Sequence, residues 1–204
     1  MNKQDIENYL NRYNNRLENY GYDPRALGWG GGKERQNLRF AKALNFANFS
    51  TYPINSVLDV GCGFGDFGNW LSSRFPNIDY TGVDINPNLI EIGKEKFGLN
   101  LYHKNNTFDY EENSFDLVVS NGIFNAQLNY ECQLAYLEKY LVSFYKISRL
   151  GFACDFMSEY VDFKHSGSYH TKEQDVIKIV KKFTKRYIIR NDYLDYEFMI
   201  YVFK

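Results

Sequence analysis

One stretch limits what this chain can fold into more than any other: Val57-Leu58-Asp59-Val60-Gly61-Cys62-Gly63-Phe64-Gly65-Asp66-Phe67-Gly68. A β-branched, apolar run over 56–60 stops abruptly at glycines, and a helix-like segment, 66–75, follows at once. A strand that feeds a helix through bare backbone brings main chain close to a ligand. Nineteen residues after Gly65, a second apolar run, Tyr80-Thr81-Gly82-Val83, ends in Asp84. An acidic side chain at the tip of the neighbouring strand suits the hydroxyls of a ribose. The pair reads as a site for a nucleoside-bearing cofactor. Its glycines parse in two ways. Gly63-x-Gly65-x-x-Gly68 fits a dinucleotide fingerprint, whereas acidic-x-Gly-x-Gly-x-Gly, from Asp59 through Gly61, Gly63 and Gly65, fits more of the sequence. Asp66 near the helix start disfavours a pyrophosphate, which needs that end free of negative charge.

The 204 residues suffice for one sizeable α/β domain, and a single domain over 1–204 is expected, with 1–50 as a helical lid and lead-in. A formal net charge of −1 gives no global field to attract nucleic acid or an anionic membrane. Cys62, Cys132 and Cys154 are isolated, with no CxxC, which points away from a disulfide framework or zinc knuckle. No apolar run approaches a membrane span, and the polar start has no signal core, so a cytoplasmic monomer or weak homodimer is expected. The 18 Tyr and 17 Phe are read as compositional bias rather than as binding surfaces.

In chain order, residues 3–20 carry Ile6, Tyr9, Leu10, Tyr13 and Leu17 at helical spacing. The Gly- and aromatic-rich segment 21–32 places Trp29 amid glycines, which suits a cover that packs on something flat. A helix over 33–49 is expected, with Leu38, Ala41, Leu44 and Phe46 inward and Gln36 and Arg39 on one face. From residue 56 strands and helices alternate, the signature of a parallel doubly wound sheet. Pro87 opens a helix that stops at Gly98, and 99–103 is a short third strand. The fourth strand, 114–120, exits through Asn121-Gly122-Ile123-Phe124-Asn125, two amides framing an apolar pair at a strand tip. A long helix over 131–149 carries Leu134, Leu137, Leu141, Phe144 and Ile147, and a fifth strand covers 151–157. Thr171-x-x-Gln174 reads as a capping box opening the last helix, to Phe183. Segments 186–190 and 197–203 alternate and form an antiparallel hairpin that closes the sheet. His165 and His170 have no acidic partner at ligand spacing, so no metal site is expected.

This order, with acidic-x-Gly-x-Gly-x-Gly after the first strand, resembles the class I S-adenosylmethionine-dependent methyltransferases over nearly all of residues 21–204. Gly28-Trp29-Gly30, Gln36, Arg39-Phe40, Ser120-Asn121-Gly122-Ile123-Phe124-Asn125 and Asp192-Tyr193-Leu194-x-Tyr196-Glu197-Phe198 are similar to a small bacterial subfamily. Some of its members lie in surface-polysaccharide pathways, including O-methyl phosphoramidate decoration of capsules. The resemblance implies a Rossmann-like seven-stranded sheet, mostly parallel, with a C-terminal antiparallel hairpin and helices on both faces. It implies S-adenosylmethionine as cofactor, S-adenosylhomocysteine as product and a small-molecule acceptor, with no nucleic acid or membrane partner. Gly61 and Gly63 would border the methionine part, Asp84 the ribose, and Ile85 the adenine face, with Asn106 standing where an Asp commonly takes the adenine amine. Trp29, Gln36, Arg39, Asn121 and Gly122 complete the expected cofactor site, with Arg39 a partner for the cofactor carboxylate. Phe124, Asn125 and His165 are expected against the acceptor. If the acceptor is a hydroxyl, a base is needed. His170 ranks first, before Tyr169, Asp155 and His165, because it precedes a helix at the carboxyl edge of the sheet. The alternatives are a non-catalytic cofactor-binding module and a nicotinamide-dependent oxidoreductase. The latter ranks behind on the expectation that the chain lacks a Tyr-x-x-x-Lys pair.

Overall fold

A computed structural model describes residues 1–204. Seven strands form one sheet in the order β3-β2-β1-β4-β5-β7-β6. They are β1 Ser56–Val60, β2 Asp79–Asp84, β3 Leu101–His103, β4 Phe115–Ser120, β5 Ser148–Met157, β6 Tyr187–Arg190 and β7 Glu197–Phe203. The pairs among β1 to β5 are parallel, while β7 runs antiparallel to both β5 and β6. The six helices are α1 Lys3–Tyr20, α2 Gly32–Leu44, α3 Asp66–Ser72, α4 Pro87–Phe97, α5 Gln133–Ile147 and α6 Glu173–Val180. None is long and apolar enough to cross a membrane.

Alternation along the central strands divides the core in two. Leu58, Val118, Phe152, Ile200 and Val202 point to the α5 and α6 face with Leu137, Leu141, Phe144 and Val180. Val57, Leu117, Val119, Met199 and Tyr201 point to the other, where Phe40, Ala43, Phe67 and Leu71 of α2 and α3 cover them. Both faces are thus buried, which is why these strands read as near-continuous apolar runs. Chain direction away from β1 reverses between β1 and β4, so their exit loops part at that point and leave a crevice at the carboxyl ends of the strands.

Several local expectations yield to this packing. The helix expected over 33–49 ends at Leu44 and tightens into a 3-10 turn, Asn45–Phe49. Its inward face is Gln36, Arg39, Phe40 and Ala43, with Leu38 and Ala41 only half-buried, because the helix lies over the crevice as well as the core. Leu134 is exposed, and Tyr136 and Tyr140 take the inner positions of α5 instead. The capping box does not form. Lys172 is the N-cap of α6, and Thr171 is held extended by a bridge to Ser158, its buried hydroxyl without a partner. Gly98 does end α4, in the left-handed region at φ 63°.

Candidate functional site

The floor of the crevice is a β1–α3–β2 unit tied by main chain. Gly61 N and Cys62 N donate to Val83 O at 2.8 and 3.1 Å, pinning the glycine loop across the end of β2. Asp84 completes the tie, its Oδ2 accepting from Gly63 N and its Oδ1 from Asn86 N, each at 2.8 Å. Gly61 sits at φ 78°, and a Cβ there would overlap the Ile123 side chain from the exit of β4. Glycine at 61 is therefore demanded twice, by conformation and by space. Burial pushes the Asp59 carboxyl up to about 7, helped by the nearby Asp84 and Asp66, although the Tyr80 hydroxyl donates to it at 2.7 Å and works the other way. Burial likewise raises Asp84 against the opposing main-chain donors. At the start of α3, Asp66 accepts from Tyr22 Oη and Lys33 Nζ, both at 2.6 Å.

Above this floor lies a cavity of about 660 Å³. Of the cofactor candidates, Trp29, Gln36, Arg39, Gly61, Gly63, Asp84, Asn121 and Gly122 line it. Ile85 and Asn106 line a smaller pocket of about 50 Å³ that shares Tyr9, Gly61, Asp84 and Ile123 with the large one. The Asn106 side-chain oxygen already accepts from Phe108 N at 3.0 Å. On the acceptor side Asn125, His165 and His170 line the cavity. His170 Nδ1 lies 2.7 Å from Ser158 O, and its Nε2 is buried without a partner. Against a carbonyl, Nδ1 is the donor, which leaves the lone pair of the neutral ring on Nε2.

Three candidates fall elsewhere. Phe124 is 0% exposed and stacks on Phe156 at 5.2 Å, so it is core rather than acceptor surface. The loop beyond β4 turns Asn121, Ile123 and Asn125 to the cavity and Phe124 away from it, and Gln133 pins that loop by accepting from Leu128 N and donating to Ala126 O. Tyr169 does not line the cavity; its main-chain N–H donates to Asn125 O, and Asp175 and Glu159 are among the charges near its ring. Asp155 is fully buried, accepting from Gly122 N at 2.6 Å, with burial and the neighbouring Glu197 raising its carboxyl to about 8.

Arg39 has a partner within the chain. Its Nε donates to both Glu197 oxygens at 2.9 and 2.8 Å, its Nη2 contacts the same carboxylate, and its guanidinium lies 4.5 Å from the Trp29 ring centre. Burial opposes the charge, but Glu197 outweighs it and holds the guanidinium more firmly protonated than usual. Only Nη1 is buried and unpartnered, as are Gln36 Oε1 and both amide atoms of Asn121. Sequence reading noted Glu197 only within the 192–198 segment and gave it no role, and it missed Arg12 and Arg16, whose i,i+4 spacing alongside Tyr9 and Tyr13 was a usable signal. It also missed Tyr160 and Lys164, which do have Tyr-x-x-x-Lys spacing. They lie in an irregular loop, however, so no helical face brings them together.

Residues 57–144 match the family described as methyltransferase domain. A Mycobacterium tuberculosis protein, described provisionally as a methyltransferase, is 27% identical over 73% of this chain and 93% of its own length. The malonyl-[acyl-carrier protein] O-methyltransferase 1 of Ilyobacter polytropus is 37% identical over 34% of this chain and 27% of that one. In fold, the chain is similar to the Synechocystis magnesium protoporphyrin IX methyltransferase with bound S-adenosylhomocysteine, at TM-score 0.67 and 13% identity with both chains wholly covered. It is also similar to a Clostridium acetobutylicum S-adenosylmethionine-dependent methyltransferase, at TM-score 0.62 and 17% identity over 94% of this chain and 98% of that one. Its glycine loop, its acidic strand tip and this seven-stranded order are those of the S-adenosylmethionine-dependent methyltransferase fold, and residues 57–144 carry the match to the methyltransferase domain.

Proposed function

We propose that the chain transfers a methyl group from S-adenosylmethionine to an oxygen of a free small molecule, such as a sugar, a phosphoramidate or a related surface-polysaccharide precursor. It acts as a monomer or weak homodimer built on one domain, with residues 1–50 as lid and lead-in, and without a nucleic-acid or membrane partner. The residues fit the cofactor. Gly61 keeps the loop free of a side chain beside Ile123, and Gln36 Oε1, Arg39 Nη1 and the Asn121 amide are buried polar atoms with no partner. Gly61, Gly63 and Asp84 would hold the ribose and methionine parts, Ile85 and Asn106 the adenine, and Gln36, Asn121 and Gly122 the amino-acid end. Arg39, already paired with Glu197, offers that end only the two N–H groups of Nη1, while Trp29 covers it.

S-adenosylmethionine supplies a methyl group on a positively charged sulfur that departs as a neutral thioether. The protein aligns the acceptor in line with that bond and excludes water. His170 carries the oxygen-acceptor reading. With Nδ1 donating to Ser158 O, Nε2 would be the atom that takes a hydroxyl proton. Asn125 and His165 lie on the same side of the cavity. The Ilyobacter relative is itself named for O-methylation.

Parallel titrations with S-adenosylhomocysteine and NADH test the cofactor, and binding of NADH alone would restore the oxidoreductase. Mass-detected transfer to a panel of phosphorylated and plain sugars tests the acceptor. His170→Ala should lower the rate roughly 10²–10⁴-fold on a hydroxyl acceptor with cofactor affinity unchanged. An unchanged rate removes His170 as base.

A further inference from the structure

Arg12 and Arg16 are one turn apart on the same face of α1, and both line the cavity rather than facing open solvent. Like charges at this spacing oppose each other and destabilise a helix. No carboxylate lies within ion-pairing distance of either, although the cavity wall holds several. Those carboxylates are engaged elsewhere or set apart: Asp66 with Lys33, Glu197 with Arg39, Asp84 with main-chain N–H groups, and Asp162 and Asp195 exposed without an ion-pair partner. The two guanidinium groups rest instead on bare backbone. Arg16 Nη1 lies where a Cβ of Gly28 would be, and Arg12 Nη2 where a Cβ of Gly167 would be, with both glycines in the left-handed region. Arg12 also donates to Gly167 O at 3.0 Å. Each arginine is therefore seated against one of the two loops that cover the crevice, the Trp29 segment and the 158–170 loop.

Charges of both signs line the cavity. One wall holds Asp59, Asp66 and Asp84, which suits a cationic sulfonium and amine, and the α1 wall of the same cavity adds two arginines with no counter-ion. Tyr160 and Phe163 form an exposed aromatic rim beside them. We infer that Arg12 and Arg16 form an oxyanion-binding subsite for the methyl acceptor, taking a phosphoryl or carboxylate group and drawing the Gly28 and Gly167 loops onto α1. This assigns the acceptor end of the same cavity and rests on the methyltransferase reading. A planar guanidinium pairs two N–H groups with two oxygens of such an anion, which a lysine cannot reproduce.

The test is calorimetric titration of inorganic pyrophosphate and, separately, malonate into the full chain saturated with S-adenosylhomocysteine. Arg12→Gln and Arg16→Gln should each weaken binding of one probe about 10- to 100-fold. Arg16→Lys should recover only part of that loss, and Arg74→Gln, outside the cavity, none should be lost. The probe that responds names the class, phosphoryl or carboxylate. The inference is overturned if neither probe binds, or if both bind equally well to the arginine variants. It is also overturned if the variants lose S-adenosylhomocysteine affinity, which would move these arginines to the cofactor and leave the methyltransferase reading intact. Failure of the unaltered chain to bind S-adenosylhomocysteine would instead sink that reading, and this one with it.

Discussion

The wall of the cavity around Asp84 and the wall around His170 are held by different means. The first is a single strand–helix–strand unit in which main-chain N–H groups of 61–63 and 86 bond to Val83 O and the Asp84 carboxylate. The second is assembled from distant side chains: Asp5 on the 129–131 backbone, Arg12 on Gly167 and Arg39 on Glu197, separated by 124, 155 and 158 residues. The first wall is short-range and rigid, and its geometry follows from glycine conformation and one acidic residue. The second depends on ties that bring both ends of the chain together, so its cohesion is concentrated in a few polar contacts.

The largest test of that contrast is Glu197→Ala. It leaves Arg39 buried beside Trp29 without a counter-charge, and removing one partner of a buried pair costs about 3–5 kcal/mol. The shift in urea midpoint measures it, and Arg39→Met with Glu197→Leu should recover most of the loss. A single-variant loss below about 1 kcal/mol would mean that the second wall does not depend on this pair. Next in size, Asp84→Ala should weaken S-adenosylhomocysteine by about 1.5–3 kcal/mol, since it removes a charged acceptor and frees the Gly63 and Asn86 N–H groups. Calorimetry that finds equal affinity would take Asp84 out of the site.

The same contrast explains what the sequence made legible. The strands over 56–60 and 79–84, the Gly98 stop and the terminal hairpin follow from short-range patterns of apolar residues, glycine and chain reversal. Glu197 was read as the first residue of a strand and as part of the 192–198 segment but given no role, because its partner lies 158 residues away and nothing near it signals an ion pair. Phe124 was placed on the wrong side because the turn beyond β4, not its composition, sets which residues face the cavity. Thr171 has the spacing of a capping box, but a tertiary bridge to Ser158 keeps it extended. Arg39 was expected free for the cofactor carboxylate, yet the chain supplies its own carboxylate first.

Titration of the first wall gives a graded effect. Burial lifts Asp59 from an ordinary carboxyl value to about 7, so the folded chain holds that proton more tightly than the unfolded chain does. This stabilisation is complete below the unfolded value near 4 and is lost as pH rises through about 7, at no more than about 1.4 kcal/mol per pH unit. Asp59→Asn keeps an acceptor for the Tyr80 hydroxyl without the titration. Its stability relative to the parent should rise between pH 5 and about pH 7.5, followed by denaturant unfolding at each pH. A difference that stays flat across that range would place the titration elsewhere, with Asp155 the next buried carboxyl to replace.

The smallest effect probes the second wall where it is most local. Asp5, buried on α1, accepts from Asn129 N at 2.8 Å, from Tyr130 N and from Glu131 N at 2.9 Å, holding the segment that leads into α5. Asp5→Asn keeps the shape, removes the charge and turns one acceptor into a donor facing those N–H groups. It should cost about 1–2 kcal/mol, the range for losing part of a charge-assisted set. The informative readout is hydrogen exchange rather than the midpoint. If α1 is held onto the domain through this contact, the amides of 129–131 should lose protection while those of Gly61 and Gly63 keep theirs, because the β1–β2 unit makes no use of Asp5. Loss of protection at Gly61 and Gly63 to the same degree would mean that the two walls open as one unit. The distinction between a rigid cofactor wall and a wall assembled from distant ties would then describe their construction but not their motion.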